Sequence, residues 1–115
     1  MNIEAFKETI RKRAAIEEAS QGEWVEGIEQ CWKAEQEILS EDIPSTVAYF
    51  KDECTSEEFS WISEIIVDLI EQTRSASLMK SYEELAARYP SECEKYNIGW
   101  CLEEARKVFE EHNAQ

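Results

Sequence analysis

Apolar side chains recur at the spacing of an α-helix along nearly the whole chain, and only three Gly and two Pro interrupt the pattern. Leu78, Tyr82, Leu85 and Tyr89, for example, follow the i, i+4, i+7, i+11 spacing that places side chains on one helix face. No segment alternates apolar and polar residues as a half-buried strand does, and no Asn-Gly or Asp-Gly pair marks a hairpin. The sequence therefore predicts an all-α protein.

The breaks in this pattern predict five or six helices, arranged as a bundle or as stacked helix hairpins in one domain spanning residues 1–115. A chain of this length can bury one core without disulfide or metal staples. Two capping patterns are visible, Thr55 with Glu58 and Ser91 with Glu94, before the fourth and the last helix. The predicted helices cover roughly residues 3–19, 23–39, 45–53, 55–72, 76–89 and 97–112.

The chain is strongly acidic, with 26 Asp and Glu against 12 Lys and Arg and a formal net charge of −14. Its hydrophobic fraction of 43%, with four Trp, four Tyr and four Phe, is typical of a folded domain and not of a disordered acidic tail. A surface this negative repels nucleic acid and anionic membranes, and it attracts basic proteins. The charge therefore indicates a protein partner and excludes nucleic acid and membrane as partners.

The sequence predicts a cytoplasmic protein with reduced cysteines. No apolar run is long enough to cross a bilayer, and the first residues lack the basic and apolar regions of a signal peptide. The cysteines are scattered, with no CxxC and no nearby Cys/His pair, so we expect four free thiols and no metal site. They are Cys31, Cys54, Cys93 and Cys101.

A search for catalytic residues finds no constellation that carries chemistry. The single histidine, His112, is expected to interact with the C-terminal end of the last helix and not to serve as a base. The sequence has no glycine-rich phosphate loop, no Glu-x-x-His pair and no nucleophile motif. We therefore expect neither enzymatic activity nor a cofactor.

The predicted fourth helix carries the most informative arrangement of charge. At 100° per residue, Glu57, Glu64, Asp68 and Glu71 form one narrow acidic stripe opposite the apolar face. Trp61 lies beside this stripe and outside the apolar face. Two interpretations stay open: a solvated charged face whose tryptophan is covered by a neighbouring helix or loop, or an interface in which the tryptophan anchors an acidic rim.

Two further residues are out of place on their predicted helices. Trp100 lies opposite the apolar face of the last helix, so it joins Glu57, Trp61, Glu64, Asp68 and Glu71 as a candidate partner-binding residue. Glu35 lies inside the apolar stripe of the second helix, which also includes Trp24. Since a buried carboxylate needs a partner, we expect Glu35 to form a salt bridge with a basic residue of the first helix.

A resemblance to a known protein family covers about half of the chain, from Ile43 to Ile98. Two stretches carry it: Cys54 to Glu64, and Arg88-Tyr89-Pro90 followed by Lys95-Tyr96-Asn97-Ile98. They resemble the small acidic helical immunity proteins of bacterial contact-dependent growth inhibition and related polymorphic toxin systems. Members of this kind bind one cognate toxin, commonly a basic nuclease, and cover its active site. The resemblance implies that role here. The alternative is an acidic helical adaptor or regulatory protein-binding module unrelated to toxins.

Overall fold

Residues 1–113, whose backbone the computed structural model describes, form eight helices and no strand; side chains are described through Glu111. The all-α prediction is confirmed, whereas the count of five or six helices is too low. No helix among these residues is long and apolar enough to cross a membrane. The helices are α1 (Ile3–Ser20), α2 (Val25–Glu41), α3 (Ile43–Asp52), α4 (Ser56–Ser63), α5 (Ile66–Thr73), α6 (Ala76–Arg88), α7 (Pro90–Lys95) and α8 (Ile98–Asn113).

The single helix predicted over residues 55–72 is wrong, because the chain turns between α4 and α5. At this turn the amides of Glu64 and Ile65 bond to carbonyl groups three residues back, at 3.1 and 3.0 Å, instead of four. The hydroxyl of Ser63 donates to the carbonyl of Phe59 at 2.9 Å, a back-bond that bends helices. The predicted stripe therefore does not run along one straight helix.

The other additional helix is α7, which lies where the sequence predicted only the end of one helix. Pro90 does follow α6, but it also begins α7, where a proline in the first turn needs no hydrogen-bond donor. Ser91 and Glu94 consequently lie within α7, and the capping role predicted for them before the last helix is wrong. A left-handed residue, Asn97 with φ 56°, separates α7 from α8.

The capping box predicted at the start of α4 is confirmed. Thr55 accepts a hydrogen bond from the amide of Glu58 at 3.2 Å, and the Glu58 carboxylate accepts one from the amide of Thr55 at 3.3 Å. The same carboxylate accepts a bond of 2.6 Å from the Tyr49 hydroxyl and lies 3.8 Å from the Lys7 ammonium. One capping residue thus also ties α1 and α3 to α4.

Helix α5 carries the deepest part of the core. It packs against α8, α2 and α4, and its Ile66, Leu69 and Ile70 have no exposed surface. Helices α1 and α2 form a hairpin, α3 packs on α6, and α7 packs on α8. Helix α4 leads into α5 and also packs against α8 and α7.

Trp24 is not on the buried face of α2, where the sequence placed it. It precedes the first residue of the helix, so helical periodicity does not apply to it, and it is 51% exposed beside Val25 at 57%. Its ring lies against Gly27, where an added Cβ would come within 2.5 Å of a ring carbon. A side chain at this position would therefore force the exposed ring to shift.

The buried Cys54 thiol should be nearly inert in the folded protein. Burial raises its pKa to about 12 from an ordinary 9.0, and the thiolate is the reactive form. We expect iodoacetamide at pH 8 to leave Cys54 unmodified in the native protein, and to modify all four cysteines after denaturation. Peptide mass spectrometry reads out each site. Alkylation of native Cys54 as fast as that of the less buried Cys93 would contradict this.

Candidate partner-binding site

A cleft of about 550 Å³ opens between α1, α4 and the start of α8. It contains three of the six predicted partner-binding residues, namely Glu57, Trp61 and Glu64. The first two lie on α4, and Glu64 caps its C-terminal end. The rest of the lining is Arg13, Glu17, Ser60, Ser63, Tyr96, Ile98 and Cys101.

The other three predicted residues are on the surface but do not line this cleft. Asp68 and Glu71 are exposed on α5, beyond the turn that separates it from α4. The prediction that all four carboxylates form one stripe on one helix is therefore wrong. Trp100 is 59% exposed on α8, between the cleft-lining residues Ile98 and Cys101 in the sequence.

Arg13 on α1 connects this side of the cleft to the C-terminal end of α4 through hydrogen bonds. It is only 4% exposed, and its Nε and Nη2 donate to the two carboxylate oxygens of Glu64 at 3.0 and 2.8 Å. Its Nη1 donates to Glu17 at 2.9 Å. Burial lowers the pKa of Arg13, but the hydrogen bonds to Glu64 and Glu17 outweigh it, so the pKa lies above its ordinary value.

Glu64 is committed to contacts within the protein. Besides the two bonds from Arg13, it accepts a bond of 3.1 Å from the indole Nε1 of Trp32 on α2. We call Arg13, Glu17, Trp32 and Glu64 the Arg13 junction, which joins α1, α2 and the end of α4. Because its carboxylate accepts these three hydrogen bonds, Glu64 stabilises the fold and is not free to bind a partner.

Trp61 forms the aromatic floor of the cleft. It is half-buried, and the guanidinium carbon of Arg13 lies 5.0 Å from the ring centroid, within the range of a cation–π contact. Its Nε1 is buried and has no hydrogen-bond acceptor among the described residues. The ring thus packs against the hydrophobic core and also contacts a charged side chain of α1.

The lining of the cleft includes an unpaired carboxylate and an exposed aromatic ring, and a second exposed ring, that of Trp100, lies on the adjoining helix α8. Glu57 is exposed, and its carboxylate has no ion pair within residues 1–111. Tyr96 is 54% exposed and Trp100 is 59% exposed, and the Lys95 ammonium lies 5.1 Å from the Tyr96 ring centroid. Helical periodicity did not select Tyr96. Its position beside Asn97, at a helix junction, is the signal that could have found it.

Glu35 is buried without the salt bridge that the sequence predicted. It has no exposed surface, and neither carboxylate oxygen has a hydrogen-bond partner among the described residues. The prediction is wrong because Arg13, the buried basic residue of α1, is bound by Glu64 and Glu17 instead. Burial and the nearby Glu64 raise the pKa of Glu35 to about 8, against a smaller lowering by Arg13. Its carboxyl is therefore mostly protonated at neutral pH.

Among the described residues, no three His, Cys, Asp or Glu side chains lie close enough together to bind a metal ion. The side chain of His112 lies outside the described residues. No family model, no curated protein and no solved structure matches the chain. The function is consequently inferred from the cleft, the charge and the exposed rings.

Proposed function

We propose that this protein is an immunity protein, which binds a cognate bacterial toxin with a basic nuclease domain and neutralises it by covering its active site. The observation that carries the proposal is the cleft, where the unpaired Glu57 and the exposed Tyr96 share one lining, together with the exposed Trp100 on α8, which lies between two cleft-lining residues in the sequence. Tryptophan and tyrosine are preferred anchors of protein interfaces. The resemblance of residues 43–98 to immunity proteins supports the same role.

The inhibition needs no catalysis. A nuclease presents a positive cleft because it must bind phosphates, and a protein with a net charge of −14 is attracted to that cleft by long-range electrostatics. Exposed aromatic anchors then slow dissociation. An acidic protein that occupies the cleft excludes the nucleic acid, so binding alone accounts for neutralisation.

A second candidate is an acidic helical adaptor unrelated to toxins. The observation in its favour is a second apolar patch, Trp24 with Val25 at the start of α2, outside the cleft. Two separate patches suit a protein that joins two partners. A toxin gene immediately upstream favours the immunity protein, and its absence favours the adaptor.

The proposed function is tested by capture from the native host followed by a nuclease assay. The tagged protein should recover a basic protein that cleaves nucleic acid, and a stoichiometric amount of this protein should abolish cleavage. A neutralised partner identifies the toxin. A partner without nuclease activity, or a nuclease that stays fully active when saturated, contradicts the proposal.

Once that pair is purified, Trp100→Ala should raise the dissociation rate by roughly 30-fold, in line with a hot-spot loss of about 2 kcal/mol. The association rate should change little, because no charge is altered. Trp24→Ala is the matched control, since Trp24 is similarly exposed but precedes α2, whereas Trp100 lies on α8 between the cleft-lining residues Ile98 and Cys101 in the sequence. Surface plasmon resonance measures both rates. Equal dissociation of the Trp100 variant and the wild type, with the variant folded, would exclude Trp100 as an anchor.

A further inference from the structure

The cleft carries an unbalanced negative charge. Its lining has three carboxylates, Glu17, Glu57 and Glu64, and one cationic side chain, Arg13. All three hydrogen bonds of the Arg13 guanidinium go to Glu17 and Glu64. Glu57 is left without a cation, and the formal charge of the lining is −2, because three carboxylates face one guanidinium. A positively charged group from outside would complete the site.

The walls of the cleft are aromatic as well as acidic. Trp61 and Tyr96 both line it, and Trp61 already holds a guanidinium against its ring in the contact with Arg13. The fold thus contains one example of a guanidinium placed between an aromatic face and carboxylates. An aromatic ring, that of Tyr96, and an unpaired carboxylate, that of Glu57, are also on this cleft. The exposed Lys95 ammonium lies 5.1 Å from the Tyr96 ring centroid, and an incoming guanidinium would replace it there. The volume of about 550 Å³ lies within the range of roughly 300–1,000 Å³ typical of ligand pockets.

We propose that this cleft receives an arginine side chain of the partner protein, with Glu57 as its carboxylate and Tyr96 as its aromatic wall. The inference depends on the proposed function only in that the toxin supplies the arginine. Arginine fits better than lysine because a planar guanidinium can stack on a ring and bond a carboxylate at two points together. The charge of Arg13 does not strongly repel the incoming arginine side chain, since the carboxylates of Glu17 and Glu64 neutralise it.

The test is a nuclear magnetic resonance titration with Nα-acetyl-arginine amide at low salt. We expect saturable shifts of the Trp61 indole signal and of the Glu57 and Tyr96 amides, with a dissociation constant in the millimolar range. Acetyl-citrulline amide, the uncharged isostere, should cause no saturable shift, and acetyl-lysine amide should bind several-fold more weakly. Trp24 provides an indole signal outside the cleft as an internal reference.

Matched variants separate the cleft from the general acidity of the surface. Glu57→Gln should weaken binding of the arginine amide at least fivefold, while Asp68→Asn, which removes the same charge outside the cleft, should stay within twofold of the wild type. Equal loss in both variants, non-saturating shifts spread over the surface, or equal binding of citrulline or lysine amide would overturn the proposal.

This experiment contains no toxin, so its outcome is independent of the nuclease assay. A failed titration removes the arginine site and leaves the immunity role standing. A failed nuclease assay with a successful titration removes the toxin and leaves a site for arginine side chains. If both succeed, Glu57→Gln should also speed dissociation of the toxin complex, whereas Asp68→Asn should not.

Discussion

The wild-type protein should lose stability as the pH rises from about 5 to about 8, and replacing Glu35 with Gln should abolish this pH dependence. The folded-state pKa of about 8 lies above the ordinary 4.5 expected of the unfolded chain. Within this window the folded protein keeps the proton that the unfolded chain releases, so rising pH favours unfolding. Over the whole window the effect amounts to at most about 5 kcal/mol. Below pH 4.5 both states hold the proton and the effect vanishes.

The measurement is the free energy of unfolding by urea at pH 5.5, 7.0 and 8.5. The difference between the Glu35→Gln variant and the wild type should increase with pH by several kcal/mol. Glu37→Gln is the control, because Glu37 is exposed on the same helix and its removal should shift all three values equally. Curves for wild type and Glu35→Gln that stay parallel would show that Glu35 ionises in the folded protein as it does in the unfolded chain.

A second substitution at this position separates the titration from the burial of a polar group. The side-chain amide that Glu35→Gln introduces would also lack hydrogen-bond partners, at a cost of about 1–3 kcal/mol. Glu35→Met has similar size and no polar atom, so it should be more stable than Glu35→Gln at every pH. If the two variants are equally stable, water reaches this position in solution.

The fold could be predicted well where local signals end a helix. The predicted helix over residues 3–19 closely matches α1, which ends at the left-handed Gln21 and Gly22. Near Pro44 the chain does break, although α3 begins at Ile43, so that the proline lies in its first turn. In both places the local sequence contains the reason for the break, and distant contacts are not needed to explain it.

The turn between α4 and α5 could not be predicted because one of the contacts that stabilise it is distant in the sequence. No Gly or Pro lies between Phe59 and Val67, and the apolar periodicity continues through the break. What distinguishes the site is Ser63, whose hydroxyl bonds the Phe59 carbonyl and lies 2.6 Å from the Tyr82 hydroxyl on α6. A partner 19 residues away gives no periodic signal.

The candidate site could be predicted only in part, again because some of its contacts join residues that are far apart in the sequence. Glu57, Trp61 and Glu64 were found together because they lie within about two helical turns of one another. Arg13 was missed, since its bond to Glu64 spans 51 residues. Glu35 was recognised as unusual, but its partner was wrong because Arg13 had two closer carboxylates to bind. Which of several charged groups pair is decided by packing, which periodicity does not report.

Replacing Arg13 with Met should lower the free energy of unfolding by about 3 kcal/mol. Breaking a buried ion pair costs roughly 3–5 kcal/mol, and the lower end applies because the Glu64 side chain keeps 27% of its surface exposed. The variant would leave the carboxylates of Glu17 and Glu64 without their shared cation, and Trp61 without its stacked guanidinium. Methionine keeps much of the buried volume, so the loss reports charge and hydrogen bonding more than a cavity.

The control is Arg11→Met on the same helix, where an exposed Arg11 pairs only with Glu8. Surface pairs contribute about 0–1 kcal/mol, so this variant should unfold almost as the wild type does. Adding Glu64→Gln to Arg13→Met should recover part of the loss, because it removes the carboxylate left without a cation. A double-mutant cycle should give a coupling of roughly 1–3 kcal/mol between the two side chains.

Because Arg13 also lowers the pKa of Glu35, replacing Arg13 should move the pH-dependent loss of stability to higher pH. Additive single-variant losses, with no such movement, would show that the Arg13 junction does not hold the cleft together.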